Sequence, residues 1–170
     1  TCIGPIIGYI DIKLESDTFY AYYPRTANDC CMTDEAELSL VLPAVQTYKK
    51  NSFATNANIA VAVSTDGREY AFRNACSYLD VKLQGDGIVL DKIVITAGRN
   101  ADLPNQKLYL AGSGKVCFND YGNEPVFELD GSSDNNRSIT LNCDNVALKA
   151  DAPTDFYFVV PAGTYSGIAV

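Results

Sequence analysis

The sequence of 170 residues contains no histidine and no tryptophan. Without histidine there is no imidazole to act as a general base near neutral pH or to bind a metal, and neither a Ser-His-Asp triad nor a Cys-His pair can form. Basic residues are also few, since 13 Lys and Arg stand against 21 Asp and Glu and give a net charge of −8. A nucleic-acid-binding surface needs net positive charge to displace counterions from phosphate, so this composition argues against nucleic acid as a partner.

Long apolar runs are absent as well. No stretch approaches the roughly 18 apolar residues that a transmembrane helix requires, and the first residues, Thr1–Pro5, lack the basic region of a signal peptide. Hydrophobic residues make up 47% of the chain, which is enough for a sizeable core in one domain of this length. We therefore expect a single domain over residues 1–170. Both ends suggest that it is a fragment of a longer protein.

The cysteines do not show the spacing of a zinc site. No C-x-x-C pair occurs, and without histidine a zinc ion would need several widely scattered thiolates. Some cysteines lie inside apolar strand patterns, which favours buried hydrophobic side chains: Cys76, Cys117 and Cys143. The others lie in less regular surroundings and are better disulfide candidates: Cys2, Cys30 and Cys31. The sequence leaves the disulfide connectivity open.

Alternation of apolar and polar residues with a period of two dominates the chain and predicts β-strands. In one predicted strand Leu79, Val81 and Leu83 face one side while polar residues face the other. The predicted strands are Tyr9–Leu14, Phe19–Tyr23, Leu38–Leu42, Asn58–Ser64, Glu69–Arg73, Cys76–Gln84, Asp91–Ile95, Lys107–Ala111, Lys115–Asn119, Arg137–Cys143 and Asp155–Pro161.

Turn signals separate these segments. Asp66 and Gly67 predict a hairpin with a type I′ turn, the glycines of Gly85–Gly87 and Gly112–Gly114 predict breaks, and Asp130–Asn136 is a polar loop. No window shows convincing helical periodicity. Around a dozen short strands at spacings near ten residues predict an all-β fold, an antiparallel β-sandwich or barrel.

The polar loop offers oxygen ligands of the kind that calcium takes, from Asp130, Asp134, Asn135 and Asn136. The spacing of an EF-hand and its terminal Glu are absent, so a solvated turn is the simpler interpretation.

Carboxylate pairs are the other candidates for chemistry: Asp34 with Glu35 and Glu37, or Glu124 with Glu128. A glycosidase needs two carboxyl groups facing each other across a cleft, whereas carboxylates near turns usually belong to a solvated surface. We therefore expect no catalytic residues, no cofactor and no metal.

Tyrosines are the main aromatic candidates for binding: the cluster Tyr20, Tyr22 and Tyr23, with Tyr9, Tyr48, Tyr70 and Tyr78. Tyrosine is common at recognition surfaces because it is amphipathic and fairly rigid, so this cluster could stack on sugars. Half-buried aromatic residues of an ordinary strand explain such a cluster more often, and the lack of tryptophan weakens the case for a sugar platform.

A series of short segments carries a family resemblance: Phe19–Pro24, Leu42–Tyr48, Asn58–Val63, Phe72–Leu79, Leu110–Gly112, Ser138–Cys143 and Phe156–Tyr165. In this order they resemble the fimbrillin-like surface proteins of Bacteroidales, the family that includes the type V pilins. Each segment is weak alone, and the specificity lies in their order along most of the chain.

This resemblance implies a lipoprotein at the outer-membrane surface or in a fimbrium, with a Greek-key sandwich of transthyretin-like topology. In the pilin members a donor strand from one subunit fills a groove in the next, which is a form of β-augmentation. The implied partners are other fimbrial subunits, with host or glycan ligands as further candidates. The chain departs from the family because Cys2 follows no lipobox, the strands before Tyr20 are shortened, and the chain ends soon after Tyr165.

We therefore predict a non-enzymatic, extracellular fimbrial subunit or adhesin that assembles by strand exchange. The alternative is an accessory glycan-binding module of a surface protein that processes polysaccharides.

Overall fold

The computed structural model describes residues 9–11, 19–24, 37–98, 107–117, 125–132 and 135–170. Every secondary-structure element assigned in these residues is a β-strand, which confirms the predicted all-β sandwich. They are β1 (Tyr9–Asp11), β2 (Phe19–Tyr23), β3 (Glu37–Leu42), β4 (Val45–Thr47), β5 (Ala60–Ser64), β6 (Arg73–Asn74), β7 (Ser77–Leu83), β8 (Val89–Ala97), β9 (Gly112–Cys117), β10 (Phe127–Leu129), β11 (Ser138–Ala147), β12 (Thr154–Val160) and β13 (Ile168–Ala169). In this part of the chain no helix has the length and apolarity needed to cross a membrane.

The strands form four sheets in two packed pairs. In the first pair, sheet β1-β2-β5-β6 packs with sheet β10-β9-β3. Their shared core includes Leu38, Leu42, Ile59, Val61, Val116 and Phe127. In the second pair, sheet β13-β8-β11-β4 packs with sheet β12-β7. That core includes Ile95, Ile139, Leu141, Phe156 and Phe158.

Strand β3 illustrates how the sequence pattern builds these layers. Leu38, Leu40 and Leu42 are buried, while Ser39 and Val41 between them are exposed. Successive side chains of a strand point to opposite faces, so the period of two places all three leucines in the core. Burying each one stabilises the fold by about 1.5–3 kcal/mol.

The chain passes repeatedly between the two halves. Only Pro43 and Ala44 separate β3 in the first half from β4 in the second, and only Ala75 and Cys76 separate β6 from β7. Because β9 and β10 return to the first half before β11 to β13 complete the second, no single cut in the chain separates the two cores.

The predicted break at Gly112–Gly114 is wrong, because these residues begin strand β9. A Cβ atom on Gly114 would lie 2.6 Å from Cζ of Phe127, and one on Gly112 would lie 2.7 Å from Cα of Asn135. Gly112 also has a φ of 123°, which disfavours other residues. These glycines allow a close approach of neighbouring backbone within a sheet, and sequence alone does not distinguish that role from a turn.

Two predicted strands are also wrong or shortened. The segment Lys107–Ala111 is not a strand, although Ala111 forms an isolated bridge with Asn136. Leu110 and Ala111 are fully buried, so their apolar character reflects burial in the core rather than pairing within a β-sheet. The predicted strand Glu69–Arg73 is reduced to β6 at Arg73–Asn74.

The type I′ turn at Asp66–Gly67 is not formed. Such a turn requires positive φ at both central residues, but of these two only Gly67 has it, with a φ of 69°. The Asp66 carboxylate instead accepts hydrogen bonds from the N–H groups of Arg68 (2.9 Å) and Glu69 (3.3 Å). Residues 65–72 therefore form a longer connection between β5 and β6.

Strands β4 and β10 were not predicted, because three residues are too few to show a period. Strand β4 also runs parallel to β11, with Val45 opposite Thr140 and Thr47 opposite Asn142. Every other strand pair in the described residues is antiparallel.

Candidate functional site: an open strand edge

Strand β8 is paired along one edge and largely open along the other. On one side, β11 pairs with β8 from Val89 to Thr96. On the other side, β13 pairs only with Thr96 and Ala97. Within the described ranges, no strand covers this second edge between Val89 and Ile95.

Hydrogen bonds at the end of β8 show which backbone groups face the open edge. The N–H of Ala97 donates to the carbonyl of Arg137 beside β11, and the N–H of Gly98 donates to the carbonyl of Gly167 beside β13, both at 2.8 Å. Successive residues of a strand direct these groups to opposite edges. The N–H and C=O groups of Val94 and Lys92 therefore point to the open edge.

Apolar side chains accompany this edge. Ile93 and Ile95 are buried in the second core, whereas Val94 between them is 40% exposed. Val89 is 56% exposed and its neighbour Ile88 is 48% exposed. Exposed apolar side chains beside unpaired backbone groups are typical of a surface that binds an extended segment.

The facing strand β7 continues this apolar surface. Leu79, Val81 and Leu83 pack against the second core but remain only half-buried. Only residues 84–88 connect β7 to β8, so the end of β7 is close to the beginning of β8. We call the open edge of β8 at Val89–Ile95, together with these three side chains, the β8 groove.

The other strand of this small sheet has a closed edge. The Gln46 side chain, which is buried, bonds both backbone groups of Val159 on β12. Two residues further on, the carbonyl of Pro161 accepts a hydrogen bond from the Tyr165 hydroxyl at 2.8 Å, and proline has no N–H group. The C-terminal part of β12 therefore offers no free backbone group to another strand.

The edge strand β7 carries charged side chains on its solvent-facing side. Lys82 forms ion pairs with Asp80 at 2.9 Å and with Asp155 on β12. The Asp155 carboxylate, followed by that of Asp80, raises the pKa of Lys82. Charged residues on an edge strand discourage pairing with another strand. Of these edges, that of β8 is the least protected.

Of the predicted acidic candidates, the structure describes Glu37 and Glu128. The Glu37 carboxylate accepts a hydrogen bond from Lys115 Nζ at 2.7 Å, and Glu128 is exposed on β10. Their predicted companions Asp34, Glu35 and Glu124 lie outside the described residues. The described part of the chain contains no group of three or more acidic or cysteine side chains that could hold a metal ion.

The described residues of the polar loop make hydrogen bonds and contacts within the protein. Asp130 Oδ1 accepts a hydrogen bond from the Ser132 N–H at 2.8 Å, which lowers the pKa of this carboxyl group. Asn135 is buried against Gly112, and Asn136 forms a backbone bridge with Ala111. The remaining candidate, Asp134, lies outside the described residues.

Two cysteines are confirmed as buried hydrophobic side chains. Cys76 and Cys143 are free and buried. Burial raises the pKa of Cys76 to about 12, so its thiol stays protonated and unreactive at neutral pH. The other predictions for cysteine lie outside the described side chains: those for Cys2, Cys30, Cys31 and Cys117.

The tyrosine cluster is half-buried in β2. Tyr20 and Tyr22 pack against the first core, and the Tyr23 hydroxyl donates to the carbonyl of Thr55 at 2.8 Å. The more exposed aromatic surface lies elsewhere. Tyr78 is 40% exposed and stacks on Phe53 with ring centroids 4.9 Å apart. The sequence named Tyr78 as a candidate but did not reveal its stacking partner, because Phe53 belongs to no regular strand pattern.

Comparison with protein-family models, with curated proteins and with solved structures gives no match to this chain.

The β8 groove is the feature from which an interaction is best inferred. Sequence reasoning found β8 as a strand but missed its open edge, because an edge is defined by the neighbours that a strand lacks.

Proposed function

We propose that this chain is a non-enzymatic bacterial cell-surface protein, a fimbrial subunit or adhesin that assembles through strand exchange. The single observation that carries the proposal is the edge of β8, which strands among the described residues pair only at Thr96 and Ala97, through β13. An added strand gains affinity from backbone hydrogen bonds along this edge and specificity from alternate side chains. Without a partner, such an edge promotes aggregation.

Two further features support this proposal. The segments from Phe19 to Tyr165 resemble, in order, those of fimbrillin-like proteins, whose partners are other fimbrial subunits and whose place is the outer-membrane surface. The net charge of −8 also suits a β protein with exposed edges, since like charge keeps separate copies soluble until a specific strand binds.

The test combines assembly with peptide binding. Purified protein is followed by light scattering and electron microscopy over a range of concentrations, and is then exposed to peptides that tile its own sequence. We expect oligomers or fibres, or an extended peptide that binds and raises the melting temperature. A protein that stays monomeric and that no peptide binds or stabilises overturns the proposal.

A second candidate, the accessory glycan-binding module, is favoured by one observation. Tyr78 stacks on Phe53, and its hydroxyl donates to Asn58 Oδ1 at 2.7 Å, while Asn58 Nδ2 donates to Asn74 Oδ1 at 3.0 Å. An exposed aromatic ring beside amide groups suits stacking on a sugar. Glycan-array binding that Tyr78→Ala abolishes supports this function, and absence of binding to any glycan argues against it.

A further inference from the structure

Aspartate is followed directly by glycine at three steps of the chain: Asp66–Gly67, Asp86–Gly87 and Asp130–Gly131. Such a step can rearrange without an enzyme, because glycine has no side chain to keep its backbone nitrogen away from the preceding carboxyl group. The geometry points to Asp86 as a modification site, where the main chain converts to isoaspartate while Asp66 and Asp130 stay intact. This inference is independent of the proposed function.

The chemistry needs only water. The Gly87 nitrogen attacks Cγ of the protonated Asp86 carboxyl group, a new N–Cγ bond forms, and the nitrogen proton and the carboxyl hydroxyl leave as water. The product is a five-membered succinimide ring. Water then opens the ring. When it attacks the former main-chain carbonyl of Asp86, that carbonyl becomes the free carboxylate and Gly87 stays joined to Cγ, which is isoaspartate.

The Asp86–Gly87 step lies at the exposed tip of the connection between β7 and β8. In the part of the chain that the structure describes, no hydrogen bond or ion pair holds the Asp86 carboxylate or the Gly87 N–H. A Cβ atom at Gly87 would also meet nothing within 4 Å. The carboxyl group and the attacking nitrogen are therefore free to approach each other.

The Asp66–Gly67 step has the same two residues in a different environment. The Asp66 carboxylate accepts hydrogen bonds from the N–H groups of Arg68 and Glu69. The Ser64 hydroxyl donates to the same carboxylate at 2.9 Å, and the Gly67 N–H donates to Ser64 Oγ at 3.0 Å. Both reacting groups must break bonds before a ring can close. The bond from Arg68 is also the main cause that lowers the pKa of Asp66, which keeps the protonated form scarce.

The Asp130–Gly131 step is held through its carboxylate. Asp130 Oδ1 accepts a hydrogen bond from the Ser132 N–H at 2.8 Å, and Nδ2 of the buried Asn135 donates to the same oxygen at 3.5 Å. The Ser132 bond is the main cause that lowers the pKa of this carboxyl group. The carboxylate must give up these bonds, and gain a proton, before the Gly131 nitrogen can attack it.

Two backbone hydrogen bonds enclose the tip at Asp86–Gly87. The Gly85 N–H donates to the Lys149 carbonyl at 3.1 Å, and the Leu148 N–H donates to the Ile88 carbonyl at 2.9 Å. Isoaspartate adds one methylene group to the main chain between these two bonds. The tip can therefore lengthen while both ends of the connection keep their bonds, so the modified protein stays folded.

The test follows all three steps in the folded, unaltered protein. The protein is incubated in weakly acidic buffer at a warm, non-denaturing temperature and is then mapped as peptides. Isoaspartate is recognised because a protease specific for aspartate no longer cleaves there and because isoaspartyl methyltransferase methylates the peptide. We expect at least about tenfold more isoaspartate at residue 86 than at residues 66 or 130, where hydrogen bonds to a charged group must break first. Equal amounts at the three residues, or more at residue 66 or 130, overturn the inference.

The same protein unfolded in urea is the matched control. Unfolding removes the hydrogen bonds at Asp66 and Asp130, so we expect the three steps to react at similar rates. The folded sample is followed until the urea sample has converted, so that absence of isoaspartate at residue 86 in the folded protein also overturns the inference. A tenfold preference for residue 86 that persists in urea does so too, because the fold is then not its cause.

Two substitutions test the chemistry and the protection separately. Asp86→Glu lengthens the side chain, so the five-membered ring cannot form, and we expect the signal at residue 86 to disappear. Ser64→Ala frees the Gly67 N–H, and we expect isoaspartate at residue 66 to rise above its level in the unaltered protein. A signal that persists in Asp86→Glu, or folded Ser64→Ala with no rise at residue 66, contradicts the inference.

Discussion

The side chain of Gln46 holds Val159 as a neighbouring strand would. Its Nε2 donates to the Val159 carbonyl at 2.8 Å, and its Oε1 accepts from the Val159 N–H at 3.0 Å. These are the two bonds that a residue of an antiparallel strand would make. Because Val159 packs in the first core while Phe158 and Val160 pack in the second, this contact lies where the two cores meet.

Replacing this glutamine should be costly. Gln46→Ala leaves the buried N–H and C=O of Val159 without partners, and each unsatisfied group costs about 1–3 kcal/mol. We expect the free energy of unfolding to fall by about 2–5 kcal/mol in urea denaturation. The control is Val45→Ala at the neighbouring position, which is 59% exposed and should change stability by less than about 0.5 kcal/mol. Equal effects of the two substitutions contradict this account of Gln46.

Gly114 should not tolerate a side chain. Its hypothetical Cβ collides with the Glu128 carbonyl and lies 2.6 Å from Phe127 Cζ, so Gly114→Ala forces strands β9 and β10 apart. We expect a loss of about 1–3 kcal/mol, measured by thermal or urea unfolding. Gly167→Ala is the matched control, because a Cβ there meets nothing within 4 Å. If Gly114→Ala is as stable as the control, the close approach in β9 is wrong.

Acid should weaken the loop after β5 through Asp66. Hydrogen bonds from the Arg68 N–H, then from Ser64 and the Glu69 N–H, lower the pKa of this carboxyl group. A depressed pKa contributes stability that is present above the unfolded value near 4 and is lost as the pH falls through the folded value.

We therefore expect Asp66→Asn to fold at neutral pH. Its melting temperature should fall less than that of the unaltered protein between about pH 5 and 2, which is the range over which this carboxyl group titrates. The side-chain amide oxygen of the Asp66→Asn variant can still accept hydrogen bonds from the N–H groups of Arg68 and Glu69, whereas Asp66→Ala has no side-chain acceptor. Asp66→Ala should be less stable already at pH 7. Identical acid profiles for Asp66→Asn and the unaltered protein would falsify this role.

Alkaline pH should destabilise the protein through buried protonated groups. Burial raises the pKa of the Cys76 thiol and of the Tyr165 hydroxyl to about 12 each. The unfolded chain releases these protons at about pH 8.5 and 10. The folded state then holds more protons than the unfolded state, so the free energy of unfolding falls as the pH rises from about 8.5 toward 12.

Urea unfolding at intervals from about pH 7 to 11 measures this decline, because that range covers most of the window that the two pKa shifts define. Cys76→Ala removes one of the groups, and the decline that begins above about pH 8.5 should become shallower. Tyr165→Phe removes the other, and its effect should appear only above about pH 10. A stability that is constant up to about pH 11 contradicts both assignments, since that value lies about 2.5 units above the unfolded thiol pKa and about 1 unit above the unfolded tyrosine pKa.

Several elements were predictable because one face of each is buried. The alternation in β3, β7, β11 and β12 gave strands close to those observed, and it identified Cys76 and Cys143 as core residues. Prediction failed where a residue type has two physical roles. Glycine at 112 and 114 serves close packing rather than a turn, and the apolar residues Leu110 and Ala111 are buried without a ladder.

The candidate site was the least predictable part. The sequence indicated strand addition only through resemblance, and it did not indicate an edge. Neither the bonds of Gln46 to Val159 nor the short pairing of β13 with β8 appears in any local pattern, because the partners are far apart in sequence.

The missing histidines, the acidic balance and the period of two belong to the sequence alone. They determined an all-β chain without the usual titrating group near neutral pH, because side-chain chemistry and the alternation of a strand are local properties. Which strands are neighbours and which edge Gln46 closes were decided only by the tertiary structure. Those features depend on contacts between distant residues, and a strand has the same local pattern whether or not a neighbour covers its edge.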